Sequence, residues 1–161
     1  MFFDEIPEGL KPWFSDDKPV WHILGCIKEA IYAMVNAFPA KYNEIQKGVF
    51  ISNNIKKIDR NVEIYGPALI GEGCELRHGA FVRENVIILD NCVIGNSTEI
   101  KNSVLFNNAG VYHYNYVGDS ILGSHAHLGA GAVISNVLLL KNKKKMMEEQ
   151  EKNTGPHKTG I

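Results

Sequence analysis

The sequence is poor in the features that would place it quickly. Its 161 residues include three cysteines, Cys26, Cys74 and Cys92, with no Cys-x-x-Cys pair. Reduced thiols and a cytoplasmic location are therefore expected. No apolar run approaches the eighteen or so residues of a membrane-spanning helix, so no membrane association is expected. Charge of one sign is also missing: 17 basic residues face 18 acidic ones, which gives no electrostatic reason to expect nucleic acid as a partner. The opening Met1-Phe-Phe-Asp-Glu5 is acidic and soon reaches Pro7, unlike a secretory leader. Residues 1–50 contain no glycine-rich nucleotide-binding loop, so nucleotidyl transfer by this chain alone is not expected.

What is present is a repeat. Ile58, Ile64, Ile70, Leu76, Val82, Ile88, Ile94, Ile100 and Phe106 lie six residues apart. Four residues after each of the first eight sits a small or β-branched side chain: Val62, Ala68, Cys74, Ala80, Val86, Cys92, Thr98 and Val104. In a helix, steps of six advance by about 240° and spread the apolar set over three faces. In an extended chain, six is a multiple of two, and one side can hold them all. Units this short cannot bury a face alone and must stack, which predicts a β-solenoid. Cys74 and Cys92, eighteen residues apart, then become neighbours in one interior column.

The phase returns at Tyr116, Leu122, Leu128 and Ile134. Between Phe106 and Tyr116 the spacing is ten, so residues 107–115 read as a loop thrown out of the coil, a usual mount for chemistry. Ahead of the repeat, Val20, Leu24, Ile27, Ile31 and Val35 share a helical face, with Asp17 as cap and Pro19 in the first turn. That helix is expected to cover the open first coil. The organisation expected is an N-terminal segment with a capping helix over residues 1–50, a β-helix over 51–140, and a charged tail over 141–161.

Ile70-Gly-Glu-Gly-Cys-Glu75, Ile94-Gly-Asn-Ser-Thr-Glu99, Leu122-Gly-Ser-His-Ala-His127 and Leu128-Gly-Ala-Gly-Ala-Val133 resemble the hexads of the hexapeptide-repeat acyltransferases. The resemblance implies a mainly β fold, a left-handed parallel β-helix with an N-terminal α-helical cap, and a homotrimer. His113-Tyr-Asn-Tyr-Val-Gly-Asp119 followed by Leu128-Gly-Ala-Gly131 and Ser135-Asn136 is similar to the acetyltransferase half of bifunctional N-acetylglucosamine-1-phosphate uridyltransferase/glucosamine-1-phosphate acetyltransferase, and to UDP-N-acetylglucosamine pyrophosphorylase-like relatives. Relatives continue for several more coils, so the chain reads as a short paralogue or a truncated product.

That likeness implies N-acetylation of an amino-sugar phosphate or nucleotide sugar, with acetyl-CoA as co-substrate, no metal, and His113 as general base. An imidazole suits the role, since its ordinary proton affinity lies near neutrality. Arg83 and Lys101 correspond to phosphate-binding cations. Each also follows an apolar hexad residue, eighteen residues apart, which puts them on adjacent strands about 4.8 Å apart. Two cations at that separation repel by a few kcal/mol at an effective dielectric of ~20, unless an anion lies between them or Glu84 and Glu99 neutralise them. Tyr116 matches a substrate-contacting tyrosine, yet also falls at an inward position. His127 replaces a family asparagine beside the substrate. Ala130 and Asn136 match positions lining the acetyl-CoA slot.

Two other readings fit the same residues. One is a non-catalytic scaffold or regulatory β-helix related to sugar-phosphate nucleotidyltransferases. The other is a γ-type carbonic anhydrase using His113, His125 and His127 on zinc, although that family's close pair, His-x4-His, is absent.

Overall fold

A computed structural model describes residues 5–15 and 18–134. After an antiparallel leading strand, β1 (Tyr42–Gln46), the chain winds through three parallel sheets in rotation. Face one carries β2 (Val49–Ser52), β5 (Ala68–Ile70), β8 (Val86–Ile88), β11 (Ser103–Leu105) and β14 (Ile121–Leu122). Face two carries β3 (Lys57–Ile58), β6 (Glu75–Leu76), β9 (Val93–Asn96), β12 (Gly110–His113) and β15 (His127–Leu128). Face three carries β4 (Glu63–Ile64), β7 (Phe81–Val82), β10 (Glu99–Lys101) and β13 (Tyr116–Gly118). Ile70, Leu76, Val82, Ile88, Ile94 and Ile100 point into the prism and are fully buried, with Cys74 and Cys92 among them. Each large side chain so enclosed contributes about 1.5–3 kcal/mol. Both thiols are free and donate to interior carbonyls, Cys74 to Leu89 O at 2.9 Å and Cys92 to Phe106 O at 3.1 Å.

Most corners turn on one residue in the left-handed region. Gly73, Asn91, Asn108 and His125 stack between faces one and two; Asn61, Gly79, Ser97, Tyr114 and Gly131 stack between faces two and three; Asn85, Asn102 and Asp119 stack between faces three and one. Asn and Gly dominate these columns because they tolerate positive φ best.

The expected loop over 107–115 is not there. Gly110–His113 is a regular strand, paired with β9 through Val111 opposite Ile94. Instead, the coil shortens: Ile70 pairs with Ile88 eighteen residues on, but Ile88 pairs with Leu105 and Ile100 with Val117, seventeen on. Leu105 and Val117 are the inward residues, not Phe106 and Tyr116. Phe106 is buried on the outside of face one, packed edge-on against Phe14 at 5.5 Å.

The helix also differs. Its expected span splits into a 3-10 turn at Val20–Gly25 and α1 (Ile27–Ala37), on which Ile27, Ala30, Ile31 and Met34 form the buried stripe. Asp17 lies outside the described residues, as do 135–161. Rather than covering the open end, α1 and the 3-10 turns pack along the flank of face one, against Phe50, Leu69, Ile87, Val104 and Phe106 from four successive coils. The end of face one is closed by β1, antiparallel to β2, and the Gln46 amide donates to Ile64 O of the edge strand β4. No helix among the described residues is long and apolar enough to cross a membrane.

Candidate functional site at the corner between faces two and three

The corner after β12 brings His113 beside the turn that carries Ala130, while Arg83, Lys101 and Tyr116 lie on face three and His127 on face two. His113 is the last residue of that strand and is exposed. Its N–H donates to Asn115 Oδ1 at 3.0 Å, and its carbonyl accepts from Gly131 N–H at 3.0 Å. Asn115 is buried and donates its amide to Gly129 O at 2.7 Å and Ala132 O at 3.2 Å. One side chain therefore ties the His113 corner to the Gly129-Ala-Gly131 turn in the coil above, where Ala130 is exposed. Tyr114, between them, is held at φ 51°, a conformation that is unfavourable for a bulky residue.

Face three supplies the cations. Val82 pairs with Ile100, so Arg83 and Lys101, the residues that follow them, occupy one column. Arg83 donates to Glu99 Oε1 at 3.0 Å and to Glu84 Oε1 at 3.3 Å. The Glu99 hydrogen bond, more than any other interaction, holds the guanidinium above its ordinary proton affinity. Lys101 makes no ion pair among the described residues. It pairs in register with Gly118, and the Tyr116 ring lies over that glycine: a Cβ there would stand 2.5 Å from the Tyr116 hydroxyl oxygen. Tyr116 is thus an outward residue beside Lys101.

His127 is exposed on face two, opposite Gly110 at the start of β12, with its ring 4.9 Å from that of Tyr112. Asn136 lies outside the described residues. His125 belongs to the corner between faces one and two, so His113, His125 and His127 do not converge within one chain. No metal-holding group of three or more His, Cys, Asp or Glu occurs among the described residues.

Asn115 and Tyr112 are the residues that sequence reasoning missed. With seventeen-residue coils, Asn115 falls in the small inward column of Ala80, Thr98 and Ala132, where its amide is the odd member; the assumed loop hid that alignment.

Residues 64–153 match the family model described as the GMPPB C-terminal domain. The bifunctional protein GlmU of Methanococcus aeolicus is 34% identical over 120 residues, covering 63% of this chain and 29% of that protein. The bifunctional sugar-1-phosphate nucleotidylyltransferase/acetyltransferase of Sulfurisphaera tokodaii is 30% identical over 143 residues, covering 78% of this chain and 32% of that protein. The chain thus spans about a third of the length of the curated relatives it matches. Among solved structures, the acetyltransferase domain of PglB from Neisseria gonorrhoeae, in complex with acetyl coenzyme A, overlaps 81% of this chain and 72% of that one at 12% identity, with a TM-score of 0.29. An overlap at that score carries no weight, and the solenoid rests on the strand register given above. The matched stretch takes in every coil from β4 onward and more than half of the sequence, and with the stacked register it shows that the chain belongs to the GMPPB C-terminal domain family, within the hexapeptide-repeat β-helix proteins.

Proposed function

We propose that the chain is an acetyl-CoA-dependent N-acetyltransferase of an amino-sugar phosphate or nucleotide sugar, with His113 as general base. The observation that carries this reading is the clamped corner: an exposed imidazole whose backbone is fixed by Asn115 below and Gly131 above. Lys101 and Tyr116 on the adjoining face suit the acceptor's phosphate and sugar, and the Ala130 turn, with Asn136 beyond it, suits the donor. In the reaction, the acceptor's amine nitrogen attacks the thioester carbonyl carbon, and the carbonyl π pair moves to oxygen. His113 takes the amine proton as the C–N bond forms. Collapse of the tetrahedral adduct breaks the C–S bond, and the departing thiolate takes the proton from the imidazolium. The products are the acetamido sugar and free CoA. The proposal includes a homotrimer in the cytoplasm.

One observation favours a second reading, a non-catalytic scaffold or regulatory β-helix. Half of the expected anion cradle is already neutralised, because Arg83 is held by two glutamates. Calorimetric titration with acetyl-CoA and then glucosamine 1-phosphate, alongside an acetyl-transfer assay on wild type and His113→Ala, decides between them. Transfer by wild type that His113→Ala abolishes supports the enzyme. Full transfer by His113→Ala refutes the base assignment, and a wild type that neither binds acetyl-CoA nor transfers acetyl supports the scaffold.

A further inference from the structure

The outer surface is built alike on the two sides of the His113 corner. Gly110-Val-Tyr-His-Tyr-Asn-Tyr-Val-Gly118 reads nearly the same from either end. Tyr112 lies back over Gly110 on face two, as Tyr116 lies forward over Gly118 on face three. A Cβ at residue 110 would stand 2.3 Å from Tyr112 Cε2, so the ring keeps its place only above a glycine.

The neighbours of the two rings differ. Tyr116 shares its face with Lys101 and Arg83. Tyr112 stands in a stack along the solenoid axis, with the His127 ring centroid 4.9 Å away at 33° and the Arg77 guanidinium carbon 5.7 Å from its own centroid. Leu76 pairs with Ile94 and Ile94 with Val111, so Gly95 is the residue between Arg77 and Tyr112, and a Cβ there would stand 1.6 Å from the Tyr112 carbonyl oxygen. Arg77 is held by Glu75 through hydrogen bonds of 3.1 and 2.9 Å. Glu75 also pairs with Lys56 at 2.6 Å. The charges on this shelf are therefore largely matched, and what it offers outward is a run of flat phenol, imidazole and guanidinium groups. Such surfaces recognise flat heteroaromatic rings by stacking and cation–π attraction, with little selection for phosphate.

We propose that the shelf formed by Tyr112, His127 and Arg77 binds the heteroaromatic base of a nucleotide substrate. Resting on the acyl-transfer reading above, it divides the labour around His113: face three takes the phosphate of the sugar, and face two takes a nucleotide base. The base belongs either to the acyl donor's adenine or to a nucleotide-linked acceptor, and the choice is experimental.

The test is calorimetric titration of the full chain with CoA, with UDP-N-acetylglucosamine and with glucosamine 1-phosphate, which has no base. The variants are Tyr112→Ala, Tyr112→Phe and Gly110→Ala, the last of which pushes the ring aside without deleting it. Tyr112→Ala and Gly110→Ala are expected to weaken one of the two nucleotides by about 10- to 100-fold. Tyr112→Phe should restore the affinity, and glucosamine 1-phosphate should bind every variant alike. The nucleotide that responds identifies the source of the base. Unchanged nucleotide affinity in Tyr112→Ala overturns the proposal, as does equal loss of glucosamine 1-phosphate or a wild type that binds neither nucleotide. Acetyl transfer is scored separately. A wild type that binds CoA through Tyr112 but transfers nothing loses the catalytic reading and keeps the shelf. Normal transfer with an indifferent Tyr112→Ala does the reverse.

Discussion

Arg83 and Lys101 stand on successive rungs of face three, and among the described residues Arg83 is the one that forms ion pairs, at 3.0 Å from Glu99 and 3.3 Å from Glu84. The Coulombic repulsion expected between the two cations is thus offset by a glutamate of the same strand as Lys101. Replacing Glu99 by Gln leaves Arg83 with Glu84 alone. The affinity for glucosamine 1-phosphate is expected to rise and its salt dependence to steepen. Stability should move by no more than about 1 kcal/mol, because the pair is a third exposed. Calorimetry at low and high ionic strength measures both effects. Unaltered affinity would count against face three as the phosphate site.

Asn115→Ala strips three hydrogen bonds from a buried position. The N–H of His113 loses its acceptor, while the carbonyls of Gly129 and Ala132 keep the backbone N–H groups of Ala132 and Tyr116; the three lost bonds should together cost about 2–4 kcal/mol. For a chain of this size that corresponds to a drop in Tm of roughly 4–16 °C. Asn115→Asp should not rescue it, since a carboxylate would face the two carbonyls. Thermal unfolding followed by circular dichroism is the measurement; a melting curve superimposable on wild type would mean that the corner is held by other contacts.

Alkaline pH should destabilise the protein in two stages. The neighbouring Cys74 thiol, and then burial, push the Cys92 thiol up from its ordinary value of 9.0; burial, and then Asp90, push the Tyr42 phenol up from 10.0. Both groups stay protonated in the folded chain after they ionise in the unfolded one. Their contribution is therefore complete below about pH 9, and it falls as pH climbs, by up to about 1.4 kcal/mol per pH unit per group. Tm measured from pH 7 to 11 should decline above 9 and more steeply above 10, and Cys92→Ala should flatten the first stage.

Phe106→Ala removes a large side chain from the helix-facing cluster, at an expected cost of about 3–5 kcal/mol. Because the cavity opens beneath the N-terminal segment, amide exchange should accelerate in α1 before it does in β8 or β9. Acceleration confined to the interior strands would place Phe106 inside the prism after all.

The sixth-residue pattern was legible because the prism interior accepts only side chains of the right size at fixed intervals. From Ile64 to Ile100 the inward residues are those the spacing names. Legibility failed between Ile100 and Leu122, where the chain takes steps of five, six, six and five through Leu105, Val111 and Val117. Leu105 and Phe106 are adjacent, apolar and both buried, and nothing local says which faces in. Tyr116 beside Val117 poses the same ambiguity, and the wrong choice at both ends manufactured a loop from a strand.

The sequence by itself determined that short extended segments would stack into a solenoid, that its interior would be aliphatic with buried thiols, and that Arg83 and Lys101 would share a column. These follow from periodicity, which is local and repeats. Only the tertiary structure decided that face one is buried on both sides, because its outer cover comes from α1 and the 3-10 turns, some fifteen to ninety residues away along the chain. It also decided that His113 sits on a corner anchored by Asn115, since a hydrogen bond between successive coils depends on the coil length, and one residue more or less in each coil changes every neighbour above.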